Sequence, residues 1–222
     1  MKIHWLIPAA VALLLSSSAQ GQNALIDYQG YAWEAGGFPP SNPGDVLSIV
    51  GVVDSLDARF GINLLLEEVT LHVTDLASNG QVDIGGGVLS ISYSGGTINL
   101  YRDPSKDHDY GVNPPNATAP ATFVNGSLFL SGSLSNFFMA YDTSTGSGAY
   151  EAQAAFTGGS GLATLNLLNA NGYTFGGTLG PGAAGGNVPQ GYDLQVDGVL
   201  EVQVRVGVQP SSWSHIKEMY RR

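Results

Sequence analysis

An all-β fold, an antiparallel β-sandwich or barrel, follows from three features of this 222-residue chain. Apolar and polar residues alternate with period two along much of its length. Turn-forming Asn-Gly and Asp-Gly pairs punctuate it. Thirty-one glycines and eleven prolines, against 12% charged residues, disfavour helix.

The alternation is cleanest towards the C-terminus. Tyr192, Leu194 and Val196 alternate with Asp193 and Gln195, and Leu200, Val202, Val204, Val206 and Val208 alternate with Glu201, Gln203 and Arg205. Such segments bury one face and wet the other. Asp197-Gly198 between them predicts a hairpin, because both central residues of a type I′ turn need positive φ. Asn79-Gly80, Asn125-Gly126 and Asn171-Gly172 read the same way.

Elsewhere Val69, Leu71 and Val73 oppose a wet face of Glu68, Thr70, His72 and Thr74. Leu89, Ile91 and Tyr93 oppose Ser90 and Ser92, and Tyr150, Ala152, Ala154 and Phe156 oppose Glu151 and Gln153. Segments near 25–33, 46–53, 97–102, 127–131, 135–142, 162–169 and 172–179 bring the expectation to about ten to twelve strands. Residues 36–45, 103–120 and 176–191 read as long loops.

Three parts are expected along the chain. Residues 1–21 pattern as a secretory signal: Lys2, the apolar run Trp5 to Leu15, then the small residues Ser16 to Gly21. The run is too short to span a bilayer, and the mature chain carries no transmembrane helix. No cysteine follows either cleavage position, so no lipid anchor is expected. Residues 22–208 form a single all-β domain. Residues 209–222 form a basic tail in which Trp213, Ile216 and Tyr220 share one stripe of a short amphipathic helix. That tail is read either as an interaction element or as a lid over one end of the β-structure. The protein is therefore expected to be secreted, at a cell surface or in a periplasm.

Charge and composition narrow the function. From 22 to 208 there are seventeen acidic residues against Arg59, Arg102, Lys106 and Arg205. An acidic body repels phosphate backbones, which argues against nucleic-acid binding. The absence of cysteine removes disulfides, thiol catalysis and thiolate metal sites. Gly180 to Gly185 spells the dinucleotide pattern, but Gly186, Pro189 and Gly191 forbid the helix it requires. No zinc-type histidine spacing, nucleophile elbow or P-loop occurs.

Two candidate sites remain in the body of the chain. Asp103, Ser105, Asp107 and Asp109 place oxygen side chains at every second position, as loops that wrap calcium do. His108 stands where an EF-hand needs glycine and Pro114 where it needs glutamate, so the alternative is a solvated acidic loop of Asx turns. Tyr31 and Trp33, beside Tyr28 and Phe38, are candidates to stack on a flat ligand such as a sugar ring. No cofactor is expected other than calcium.

The leading functional expectation is an exported, non-enzymatic β-protein acting as a cell-surface, matrix or binding module. Its expected partners are a glycan or another surface protein. One alternative is a carbohydrate-binding domain or secreted polysaccharide hydrolase, whose carboxylates would come from Glu67, Glu68, Glu151 or Glu201. Another is an outer-membrane β-barrel, which alternating strands also suit. Arg221-Arg222 and the lack of paired aromatic girdles count against that one.

Overall fold

Side chains two apart on a strand point the same way, and here the inward set is almost wholly apolar. The computed structural model describes residues 23–111, 116–168, 170, 172–181 and 188–203. In it eight strands close into one antiparallel barrel: β1 (Asn23–Glu34), β2 (Val46–Leu56), β3 (Glu68–Asp83), β4 (Val88–Asp103), β5 (Ser127–Asp142), β6 (Ser147–Gly158), β7 (Tyr173–Gly180) and β8 (Leu194–Val202). Each strand pairs with its sequence neighbour, and β8 returns to β1 through pairs such as Tyr28–Gly198. A short helix α1 (Leu162–Leu167) joins β6 to β7. Residues 1–21, expected to be a signal, and the tail residues Trp213, Ile216 and Tyr220 lie outside the described residues.

The all-β expectation holds, and of the sandwich or barrel expected the structure is the barrel. Eight strands replace the expected ten to twelve for a consistent reason: several glycines read as turns sit inside strands. Gly95 and Gly96, at φ 75° and 112°, lie inside β4, so 89–93 and 97–102 are one strand. Likewise 127–131 and 135–142 merge into β5. Asn79-Gly80 is a bulge within β3, where the register against β4 shifts between Ser78 and Gln81. Asp197-Gly198 makes no hairpin, and β8 runs straight through it.

Gly198 is there for packing. A Cβ on it would stand 2.4 Å from the Tyr150 hydroxyl and 2.5 Å from that of Tyr28. The segment 162–169 forms α1 instead of a strand, with Leu165 its buried residue. The strand expected at 172–179 is β7, and the loop read from Gly176 starts only after Gly180.

Positive-φ residues and register shifts recur across β3, β4 and β5. Asp75, Gly95, Gly96 and Asn136 all have positive φ, and the β4–β5 ladder is interrupted between the pairs Tyr93–Phe137 and Thr97–Ser133. A bulge adds a residue to one strand and increases local twist, which a closed barrel needs.

Eight-stranded barrels either fill their interior with side chains or hold one small ligand. This one is filled. Tyr28 stacks on Phe175 at 5.3 Å and Phe137 on Tyr150 at 5.7 Å, and the Tyr28 and Tyr150 hydroxyls hydrogen-bond at 2.5 Å. Leu71, Val73, Ile91, Ile98, Leu100, Leu130, Met139, Val196 and Leu200 complete the core. The space left among Ile26, Tyr28, Leu71 and Phe175 is about 10 Å³, no more than one water could use. The outer wall is polar, with Ser92, Ser94, Ser133, Ser135, Glu151, Thr178 and Asp197 exposed.

Candidate functional site

A second apolar layer lies outside the barrel. The described parts of the β4–β5 loop fold back over the outer faces of β1, β2 and β3, packing Ala117 and Phe123 with Val50 and Tyr192. Thr70 donates to the Phe123 carbonyl at 2.9 Å, and the Tyr192 hydroxyl donates to the Tyr110 carbonyl at 2.9 Å. The face of β3 read as wet is therefore covered: Glu68 and Thr70 are buried. His72, on the same face, is half-buried, and burial pushes its pKa below the ordinary value.

This fold-back brings His108 to Glu68. One Glu68 oxygen meets His108 Nδ1 at 2.5 Å, and the other accepts the His108 backbone N–H at 3.0 Å. The carboxylate is 3% exposed and the imidazole 38%, so a buried acceptor orients a ring that still reaches solvent. Carboxylate oxygens of Glu68, Asp103 and Asp107 all lie within 4.8 Å of one another. Asp103 accepts from the Ser105 backbone N–H at 2.8 Å, and Asp107 accepts from Asn125 Nδ2 at 3.0 Å.

Of the sequence-predicted calcium set, the structure brings together Asp103 and Asp107. Ser105 and Asp109 fall outside that cluster, and the Asp109 carboxylate instead accepts the Gly111 N–H at 2.8 Å in an Asx turn. Glu68 takes the third place. It was invisible as a ligand because it is forty positions from His108, and only folding of the loop onto β3 joins them.

His108 stands between two grooves in the outer wall. One, about 670 Å³, is lined by Asp54, Ser55, Glu67, Glu68, Lys106 and His108 among others. The other, about 360 Å³, is lined by Gln29, Tyr31, Asp54, His108, Tyr110 and Gln195. Lys106 is held in place by its Nζ donating to the carbonyls of Leu64 and Leu65 at 3.0 and 3.4 Å.

Tyr31 and Trp33 take different places. Tyr31 borders the smaller groove, edge-on to Tyr110 at 4.7 Å and tilted against Tyr192 at 5.4 Å. Trp33 packs edge-on to Tyr192 at 5.6 Å and belongs to the outer apolar layer. Both rings are half-buried, so neither offers a free face on the scale of an open platform.

A second polar cluster sits at the opposite end of the barrel. Glu34 accepts from Ser41 Oγ at 2.6 Å and from the Tyr93 hydroxyl at 3.4 Å, and its backbone N–H donates to Asp193 at 2.8 Å. Burial pushes the Glu34 carboxyl up to about 7, and Asp45 and Asp193 add to this, while the Ser41 and Tyr93 bonds oppose it. No family model, curated protein or solved structure matches the chain.

Proposed function

We propose that the protein is an exported, non-catalytic binding module of a cell surface or extracellular matrix that meets its partner on the outside of a solid barrel. The observation that carries this reading is the packed interior: about 10 Å³ is left among Ile26, Tyr28, Leu71 and Phe175, which favours a ligand on the outer wall. The wall supports it, because Ser, Asn, Asp and Glu side chains face outward between grooves of ligand size.

A membrane-spanning barrel would reverse this arrangement, with an apolar band outside and polar residues inside. Hydrolysis of a polysaccharide would ask for two carboxyls roughly 5–10 Å apart across an open cleft. The Glu68, Asp103 and Asp107 oxygens are closer than that, and two of the three residues are buried.

Adsorption of the full chain to insoluble polysaccharides and cell-envelope preparations tests the reading, with uptake of a fluorescent fatty acid measured alongside. Adsorption without uptake is expected. Uptake of the lipid in stoichiometric amount would put the ligand inside the barrel and overturn it.

A second reading adds a calcium ion held by Glu68, Asp103 and Asp107, supported by the convergence of their oxygens within 4.8 Å. A ligand that binds only the native state raises the unfolding midpoint. The midpoint with millimolar calcium should therefore exceed that with chelator, and equal midpoints remove the ion.

A further inference from the structure

A groove lined by no charged residue lies where the β4–β5 ladder is interrupted. Between the pairs Tyr93–Phe137 and Thr97–Ser133 the β4–β5 ladder is interrupted, in unchanged register, and residues 94–96 and 134–136 have no partner across that gap. Positive φ at Gly95, Gly96 and Asn136 keeps it open. Gly96 has no room for a side chain, since a Cβ there would stand 2.6 Å from Leu76 and 3.2 Å from Leu134.

The gap widens into an outer groove of about 530 Å³, within the range of small-ligand sites. Its rim carries Asn79, Ser92, Ser94, Ser135, Asn136 and Phe138, and no charged residue lines it. Phe138 faces outward on β5 and is 42% exposed, although its neighbours Phe137 and Met139 are buried. Asn79 and the two serines of β4 form a chain, Asn79 Nδ2 donating to Ser92 Oγ at 3.2 Å and Ser94 Oγ donating to Asn79 Oδ1 at 3.0 Å.

We propose that this groove is a binding site for a neutral glycan, whose ring stacks on Phe138 while its hydroxyls bond to the Asn and Ser side chains around it. The chemistry fits that class. A sugar ring pairs a C–H face, which suits an aromatic plane, with hydroxyls that need both donors and acceptors. Amide and hydroxyl side chains supply both, without the desolvation cost of a buried charge.

Anionic polysaccharides are disfavoured by Glu151, which pairs across from Phe138 on β6, and by the net charge of −10. This site deepens the binding-module reading by naming a ligand class, and it rests on that reading.

The test titrates the full chain by calorimetry with a panel of neutral hexasaccharides (malto-, cello-, xylo-, manno- and chito-) and with an alginate hexamer. The Phe138→Ala and Thr178→Ala variants follow, Thr178 being exposed on β7 away from the groove. At least one neutral member should bind, alginate should not, and Phe138→Ala should weaken binding about tenfold or more while Thr178→Ala leaves it unchanged. Phe138 is exposed, so its loss should not disturb folding, which the unfolding midpoint checks.

Two results overturn the proposal in distinguishable ways. If a neutral glycan binds but Phe138→Ala binds as tightly as the parent, this groove is not the site and the binding-module reading stands. If no neutral member binds, the proposal fails; if envelope adsorption is also absent, the broader reading fails with it.

Discussion

Gly198 stands where two buried phenols meet, and its missing side chain is what lets them. Tyr28 and Tyr150 project from β1 and β6 into the barrel, and any Cβ at 198 would overlap both hydroxyls. Overpacking a filled core of this kind costs about 1–3 kcal/mol or more. Gly198→Ala should lower stability by at least that much in urea denaturation, whereas Asp197→Ala, one residue away on the outer face, should stay within about 0.5 kcal/mol.

Glu34 offers a second residue-scale test. Its folded pKa lies above the value for an unfolded chain, so the native state favours the protonated acid. The stabilisation is complete below about pH 4.5 and is lost as pH rises through about 7. Burial also raises Asp193, which works in the same direction. The protein should be roughly 1–3 kcal/mol less stable at pH 8 than at pH 5 through these groups. Glu34→Gln should flatten most of that slope, and an unchanged slope would remove Glu34 as its source.

At the scale of elements, the β4–β5 loop is a packed layer. Phe123 is fully buried between the loop and the barrel wall, and Thr70 reaches from β3 to hold its carbonyl. Phe123→Ala should cost about 3 kcal/mol and expose the loop to protease before the barrel unfolds. Equal protease resistance in parent and variant would mean that the layer does not depend on this ring.

The acidic part of this loop was legible in the sequence because Asp103, Asp107 and Asp109 recur at alternate positions. Their division was not. Asp109 turns back to Gly111, while Asp103 and Asp107 face Glu68, and only packing against β3 separates those fates. The same packing reverses the reading of Glu68 and Thr70, whose side of β3 looked wet until the loop covered it.

For the whole molecule, closure is the decisive fact. With β8 paired to β1 the sheet has no free edge, which removes the usual route to edge-to-edge aggregation. The apolar interior and polar exterior also predict behaviour towards lipid. Mixed with preformed vesicles and floated on a density gradient, the folded chain should remain in the protein fraction. Co-flotation with retained β-structure would contradict the inside-out assignment of its faces.

The sequence by itself determined the β-class and the apolar face of most strands, because period-two alternation is a local property of the chain. It could not determine how many strands there are. A glycine that turns the chain and a glycine that makes room for a neighbouring tyrosine look the same one residue at a time. Gly95, Gly96 and Gly198 were settled only by what packs against them. Sandwich or barrel was likewise a question of whether the first and last strands meet.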